Sequence, residues 1–232
     1  MGSVKKAYAE SAPLQRRPGS RVHILNAAVE EFAREGVAGA RTSAIASAAG
    51  VNIALLYYYF DTKEKLYGAV LEQTFSAWAS ALRPILDRKG CPKDKLLSYV
   101  GAYFDFVAES PWRPRLVQQE MMRQGRSGSP HVKRLAKKYF LPIHKKLLAL
   151  LDQGYAAGHF RRAEAQFLYS LSGIISSYFI SAPFIEIVDG CSPLTPSRIA
   201  ERRRAVLDQV AAMVFRPPKP ESRPAASKGR CQ

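Results

Sequence analysis

Residues 42–63 include small side chains, three tyrosines and a lysine, which are groups that can approach or hydrogen-bond to a phosphate-bearing ligand. Three consecutive tyrosines occupy positions 57–59, and tyrosine hydroxyls donate hydrogen bonds to phosphate oxygens. Ala54 is small enough to let the backbone approach a ligand closely. Lys63 opens a predicted helix, where the helix dipole disfavours a cation, so an external phosphate is its predicted partner. The alternative for Lys63 is a solvated side chain balanced by Glu64.

Residue types that commonly perform catalysis or bind metals are present, but their spacing fits neither role. The four histidines show no paired metal-ligand spacing, and neither a P-loop nor a dinucleotide-binding pattern occurs. The three cysteines are widely spaced without a CxxC pair, which predicts no disulfide framework or zinc site and suits a reducing cytoplasm. Nothing orders a serine and a histidine into a nucleophile and its base. We therefore predict no catalytic residue, no metal, no cofactor and no enzymatic activity.

Helical periodicity, interrupted by glycine and proline, predicts the elements that position these side chains. Ser20 can cap a first helix, which ends at Gly36. Thr42 can cap a short second helix that Gly50 terminates, and a third short helix covers residues 52–60. Two short helices joined by a glycine-centred turn are typical of a helix-turn-helix, whose second helix enters the major groove of DNA.

The third helix is the predicted recognition helix. Leu56 and Phe60, four residues apart, anchor it from behind and leave its other side chains facing outward. Ile53 and Leu55 cannot hydrogen-bond to bases. They could contact thymine methyl groups, or Ile53 could fold inward as core. The predicted DNA-contacting residues lie on the two short helices and at the start of the fourth: Thr42, Ser43, Asn52, Ile53, Ala54, Leu55, Tyr57, Tyr58 and Lys63.

The segment from Thr42 to Leu66 resembles the signature of the TetR/AcrR family of regulators. That signature has an Ile-Ala-x-x-Ala-Gly-Val turn, a short recognition helix ending in Tyr-x-x-Phe, and a Lys-Glu-x-Leu opening of the fourth helix. The three parts are present here at residues 45–51, 57–60 and 63–66. The recognition helix of the family usually opens with serine and a basic or polar residue, whereas this chain has Asn-Ile-Ala-Leu, so the identity of the bases it contacts stays open.

This resemblance, over about residues 20–72, implies an all-α fold in two parts. Residues 20–66 would form a three-helix helix-turn-helix DNA-binding domain, and residues 67–216 a helical ligand-binding and dimerisation domain. Composition adds a flexible basic arm at 1–19 and a disordered basic tail at 217–232. The implied function is that of a homodimeric transcriptional repressor in the cytoplasm. Its partners would be a double-stranded DNA operator and a small-molecule effector that releases it.

The helices beyond residue 62 are longer than those before it. Their predicted segments are 63–88, 93–109, 114–125, 130–157, 163–182 and 197–215, and Pro142 is expected to kink the helix that contains it. Aromatic residues recur at helical spacing in these segments, and such residues form either plain core or the lining of a ligand cavity. We predict a largely apolar ligand and the following lining residues: Tyr103, Phe106, Met121, Tyr139 and Tyr178.

The stretch 165–185 carries no charge and is long enough to cross a bilayer. Its five serines and its proline instead favour a helix buried inside a bundle or a dimer. We predict a homodimer held by segments 165–182 and 197–215, with no membrane partner. Arginine at Ile175 or Val210 is expected to dissociate that dimer, since a buried unpaired charge is costly.

The charge balance is strongly basic, with 35 Lys and Arg against 19 Asp and Glu and a net charge of +16. Such a balance favours a polyanionic partner, either nucleic acid or an anionic membrane surface. Residues 21–66, however, hold five basic and five acidic residues, so bulk charge does not identify the DNA-binding segment. A constitutive or architectural DNA-binding protein without a ligand switch, using the basic termini, therefore stays an alternative. A membrane-surface protein is a third hypothesis.

Overall fold

The computed structural model describes residues 19–123, 130–163 and 165–217. Within those ranges the chain forms eleven α-helices, and its one β feature is an isolated bridge between Phe160 and Phe215. The all-α prediction is therefore confirmed. The predicted arm and tail lie almost entirely outside the described residues. The helices are α1 (Ser20–Gly39), α2 (Thr42–Ala48), α3 (Ile53–Phe60), α4 (Lys63–Asp87), α5 (Pro92–Ala108), α6 (Arg113–Met122), α7 (Pro130–Leu135), α8 (Leu141–Ala156), α9 (Ala165–Ile180), α10 (Ala182–Asp189) and α11 (Pro196–Val214).

The first three helices assemble around the apolar stripe of α1. Its buried residues recur at helical spacing: Ile24, Leu25, Ala28, Val29 and Phe32. Gly36 adopts a φ of 67° and breaks the helical backbone at the predicted end, although one further turn continues to Gly39. Ser20 is not the cap of α1. Gly19, in the left-handed conformation, occupies that position, and Ser20 is the first helical residue.

α4 connects the N-terminal helices with the rest of the chain. Its 25 residues extend about 37 Å at 1.5 Å per residue. Thr62 caps it by accepting a hydrogen bond from the Lys65 N–H at 3.1 Å. Near its start it packs on α1, where Phe32 and Tyr67 make an edge-to-face contact with 5.1 Å between ring centroids. Further along it packs on α5 and α8. The single helix α4 therefore contacts both the N-terminal helices and the C-terminal helices.

The segment that contains Pro142 is interrupted by a π turn just before the proline, and the predicted kink itself stays a prediction. Residues 136–140 form a π-helical segment between α7 and α8, and the N–H of Leu141 donates to the carbonyl of Ala136. Proline has no N–H to continue the i→i−4 ladder, and its ring crowds the carbonyl four residues earlier. The wider turn accommodates that proline within the first turn of α8.

The uncharged stretch 165–185 is two helices, so the prediction of a single helix over it is wrong. α9 ends at Ile180, and α10 starts at Ala182 at an angle of 62° to it. Pro183 sits in the first turn of α10, where a missing N–H is tolerated, whereas in the middle of a longer helix it would break the ladder. No single helix among the described residues has the length and hydropathy of a membrane span; the bent pairs α2 with α3 and α9 with α10 reach them only when combined.

Ile175 and Val210 face the interior of their own chain. Both side chains are fully buried in the same hydrophobic core as α5 and α8. An arginine at either position would therefore destabilise the protomer itself. The placement of these two side chains in a dimer interface is wrong, because periodicity identified an apolar face without showing that the chain itself covers it. The dimer itself stays a prediction.

Candidate functional site

The two short helices α2 and α3 present one polar and aromatic face to solvent. Ile53 is 44% exposed, Tyr57 41% and Tyr58 56%. Ser43, Asn52 and Ala54 are exposed beside them. Ile53 therefore stays outside the core, which removes the alternative in which it folds inward. The face offers hydroxyl and amide donors together with one apolar contact that fits a thymine methyl group.

Leu55 does not belong to this face, and its prediction as a DNA-contacting side chain is wrong. It is only 2% exposed and lies next to the fully buried Leu56. Adjacent helical positions are 100° apart, so a helix anchored at positions 55, 56 and 60 buries a wide stripe. The buried stripe fixes the rotation of α3 about its axis and thereby selects the residues left outside.

Two hydrogen bonds fix the exposed face at its ends. Asn52 is the N-cap of α3, and its Oδ1 accepts a hydrogen bond from the Leu55 N–H at 2.7 Å. The amide group of Asn52 keeps its two N–H donors for another partner. Thr42 and Tyr57 join the two helices through their hydroxyl oxygens, 3.1 Å apart. Thr42 is the first residue of α2, and Arg41 occupies the N-cap. The predicted capping role of Thr42 is therefore wrong.

Lys63 binds within the protein, which neither the phosphate nor the solvated alternative anticipated. Its Nζ donates to the carbonyl oxygens of Ala40 at 3.0 Å and Ala38 at 3.4 Å. These carbonyls lie where α1 ends, and a cation is stabilising beside exposed carbonyl groups. The structure therefore supports a positioning role for Lys63, because it ties the start of α4 to the end of α1.

Three charged residues of this region were missed as candidates. Glu31 is buried, accepts a hydrogen bond from the Arg41 N–H at 3.2 Å and pairs with Arg34, so it holds the start of α2 on α1. Arg41 and Arg21 are exposed, and the Arg21 guanidinium carbon lies 5.2 Å from the Phe60 ring centroid. Neither arginine forms an ion pair within the described ranges. Both are therefore available to phosphates flanking the exposed face of α2 and α3.

A cavity of about 270 Å³ lies among α4, α5, α6, the π turn and α9. Three of the five predicted ligand-contacting residues line it: Tyr103, Phe106 and Met121. The other two do not line it, and their contact with a ligand stays a prediction. Tyr139 is buried and donates to Glu72, and Tyr178 donates to the carbonyl of Pro193 at 2.8 Å. Sequence spacing placed these rings on the right helices but could not identify their partners.

The cavity wall is mostly aromatic and aliphatic, with a few polar groups. The rings of Trp78 and Phe140 stack with 4.6 Å between their centroids. The Tyr103 hydroxyl oxygen lies 3.3 Å from the hydroxyl oxygens of both Ser172 and Ser176. The full set of lining residues is Thr74, Phe75, Trp78, Tyr103, Phe106, Val107, Arg113, Pro114, Val117, Gln118, Met121, Phe140, Ser172, Ser176 and Ile180. A wall of this kind suits a small, largely apolar molecule.

An ion-pair joint connects the cavity wall with the N-terminal helices. Arg123, just past the end of α6, donates to both carboxylate oxygens of Glu64, at 2.9 and 2.7 Å. The Nε2 of His131 lies 3.2 Å from the same carboxylate. The hydrogen bonds from Arg123 lower the pKa of Glu64 and outweigh the desolvation that would raise it. Because α6 also lines the cavity, a displacement of α6 reaches the first turn of α4 directly.

Comparison with known families matches two segments of the chain. Residues 24–70 match the family described as bacterial regulatory proteins, tetR family. Residues 92–210 match the tetracyclin repressor-like C-terminal domain. The first segment contains α2, α3 and the Lys63 contact. The second contains every cavity-lining residue except Thr74, Phe75 and Trp78, which lie on α4.

Individual relatives agree with these matches. The chain is 32% identical over 111 residues to the HTH-type transcriptional repressor NicS of Pseudomonas putida, covering 48% of this chain and 52% of that one. The match therefore spans about half the length of this curated relative. The structure of SCO4942 from Streptomyces coelicolor aligns with a TM-score of 0.64 and 30% identity, over 85% of this chain and 99% of that one. The ketosteroid transcriptional regulator KstR2 of Mycobacterium tuberculosis aligns with a TM-score of 0.68 and 20% identity, over 89% and 100%, a likeness of fold.

Proposed function

Because this chain belongs to the TetR family of bacterial regulatory proteins, we propose that it is a sequence-specific DNA-binding transcriptional regulator. Its output is repression, and a small-molecule ligand releases it from its operator. The observation that carries the DNA-binding part is the exposed face of α2 and α3, fixed by the Asn52 cap and the Thr42–Tyr57 contact. A short helix that is anchored from behind and exposes donors in its first turns fits the major groove.

Operator binding needs two copies of that face. Two recognition helices must enter successive major grooves, about 34–36 Å apart. The apolar side chains that the protomer leaves exposed on α10, Phe184, Ile187 and Val188, together with the uncharged outer face of α9, support a homodimer joined through these helices. A second copy would remove this apolar surface from water.

The release mechanism uses the connection of the cavity to α4. A ligand among α4, α5, α6 and α9 displaces α6, which is joined to the first turn of α4 through Glu64 and Arg123. A tilt of α4 changes the separation of the two recognition helices without altering any DNA contact. The ligand must bind more tightly to the arrangement that does not bind DNA. Equal affinity for both arrangements would not shift the equilibrium between them.

The DNA-binding part is tested by selecting duplexes from a random library with the full-length chain. Binding of the enriched duplex is then measured by fluorescence anisotropy with excess nonspecific competitor DNA. We expect a dissociation constant of about 10⁻⁸ M or tighter and a preference of at least about 10³ over unrelated duplex. Tyr57→Phe should weaken binding on every duplex, because it removes a phosphate donor, whereas Tyr155→Phe on α8 is the matched control and should change nothing.

Two outcomes would contradict the proposal. If no sequence is enriched and competitor DNA removes all binding, the chain is an architectural DNA-binding protein that uses its basic residues. If an operator is found but no compound that occupies the cavity changes the operator affinity, the regulator is constitutive. Linkage supplies the deciding measurement for the ligand, because operator must weaken ligand binding by the same factor by which ligand weakens operator binding.

A further inference from the structure

A polar cleft of about 370 Å³ adjoins the apolar cavity. Thr74 and Arg113 line both compartments, so the two share a wall. The cleft is bounded on its other side by α1, through Asn26 and Glu30, and Trp112 forms part of its wall. A molecule that reaches from the apolar cavity into this cleft would touch the N-terminal helices directly.

Arg113 is held rigidly at this shared wall with part of its guanidinium uncommitted. Its guanidinium carbon lies 3.8 Å from the Phe106 ring centroid, and its Nη1 donates to the Phe106 carbonyl oxygen. The nearest carboxylate, on the largely exposed Glu109, lies 3.8 Å from the same Nη1. Within the described ranges the Nε and Nη2 atoms of Arg113 have no hydrogen-bond partner. Nε and Nη2 form the edge of a guanidinium that binds two oxygens of one anion.

The charge on the wall of the apolar cavity favours an anion over a cation. Among the lining residues of the apolar cavity that the structure describes, Arg113 is the one charged side chain. Its side chain is only 19% exposed, and a guanidinium does not lose its proton in proteins. Its nearest carboxylate, on Glu109, is 71% exposed and 3.8 Å away, so a bound oxyanion would compensate this partly buried charge more closely. A cationic ligand would meet repulsion from Arg113 and no carboxylate on the cavity wall.

We propose that the ligand is an amphipathic anion whose apolar body fills the 270 Å³ cavity and whose carboxylate or phosphate binds Arg113 at the edge of the polar cleft. This assignment rests on the proposed function in one respect, that the cavity takes a ligand. The volume of about 270 Å³ lies just below the range of about 300–1,000 Å³ for small-molecule sites. A single medium-length alkyl chain is therefore a suitable probe of the apolar body.

The experiment uses three probes with one chain length: decanoate, decyl phosphate and the neutral decanol. The two tryptophans of the chain, Trp78 and Trp112, line the cavity and the cleft respectively. Intrinsic tryptophan fluorescence of the full-length protein therefore reports occupancy of both compartments. We expect at least one of the two anions to bind about tenfold or more tightly than decanol, as charge-assisted hydrogen bonds to a fixed guanidinium predict. The anion preferred identifies the head group as carboxylate or phosphate.

Substitution at the shared wall separates anion recognition from cavity shape. Arg113→Gln should weaken binding of the preferred anion about tenfold or more and leave decanol binding unchanged. Arg115→Gln removes the same charge from an exposed position of the same helix and should leave all three affinities unchanged. Glu30→Gln, which removes the negative charge of the cleft, should tighten anion binding. Circular dichroism confirms that each variant is folded.

Three results would overturn the assignment: decanol binding as tightly as both anions, Arg113→Gln weakening all three probes equally, or no probe binding to the folded protein at millimolar concentration. Operator binding, measured on the same samples, separates this inference from the proposed function. An operator released only by neutral compounds removes the inference and leaves the function. Anion binding through Arg113 without any operator binding leaves the inference and removes the function.

Discussion

The joint between α6 and α4 should be measurable as a pairwise free energy between Glu64 and Arg123. Their side chains are 49% and 32% exposed, so solvent screening keeps the pair far from the strength of a buried one. Two parallel hydrogen bonds to one carboxylate place it at the upper end of the range for such pairs, at about 1 kcal/mol. A double-mutant cycle with Glu64→Gln and Arg123→Gln, followed by urea unfolding, isolates that term.

The cycle is needed because each partner has other neighbours. Arg123 also lies 3.7 Å from the buried carboxylate of Glu120 and 5.4 Å from the Tyr67 ring centroid, and Glu64 also contacts His131. These contacts change equally in both backgrounds and cancel in the coupling energy. A coupling below about 0.3 kcal/mol, which is within the error of additivity, would refute the joint as an energetic connection.

The pH dependence supplies an independent check on the same pair. The pKa of Glu64 is lower in the folded protein than its usual value because of the hydrogen bonds from Arg123. Its contribution to stability is therefore fully present above the unfolded pKa of about 4.3 and is lost as pH falls through the lower folded pKa. The unfolding free energies of the wild type and of Glu64→Gln should differ at pH 7, and the difference should shrink progressively as pH falls below about 4.3. A difference that does not change with pH would mean that the substitution acts through packing.

Four further substitutions, one of them a control, test other parts of the structure. Gly154→Ala would place a Cβ 2.0 Å from the Phe160 ring and should lower the unfolding free energy by about 1–3 kcal/mol. In the control, Gly101→Ala, the new Cβ meets only the end of the Arg203 side chain, so the loss of unfolding free energy should be smaller. Equal losses in urea unfolding would contradict this. Ile187→Glu, at a side chain 81% exposed in the protomer, should give a folded monomer in sedimentation, and an unchanged dimer would exclude α10 from the interface. Lys63→Met should lower the unfolding free energy by about 0.5–1.5 kcal/mol and leave the salt dependence of DNA binding unchanged. A decrease of about 1 in the slope of log affinity against log salt concentration would instead show that Lys63 contacts a phosphate.

Local sequence signals located the helices well, because their causes are local. Gly36 breaks α1 at the predicted residue since its φ of 67° suits glycine, and a π turn interrupts the segment just before Pro142, which lacks an N–H. The missed break at Ser181 had the same kind of signal in Pro183, but the absence of charge over the whole stretch outweighed it in the sequence interpretation.

Side-chain roles were predicted less well, because partners distant in sequence decide them. Lys63 binds carbonyls 23 and 25 residues earlier in the chain, and no pattern around Lys63 records that contact. Leu55 and Leu56 are both apolar, and an eight-residue helix is too short for periodicity to show that both are buried. Distant partners also decide the lining of the cavity. Tyr139 was predicted to line it but hydrogen-bonds to Glu72, whereas Arg113 was not predicted to line it and does.

The π turn at residues 136–140 also sets the rotation of α7 relative to α8. A single deletion there would remove the extra residue of the π turn and rotate α7 by about 100° relative to α8. His131 and Arg134, both on α7, would then turn away from Glu64 and Glu72, the carboxylates they now meet on α4. One residue of chain length, without any change of residue type, therefore determines which face of α7 is fastened to the central helix.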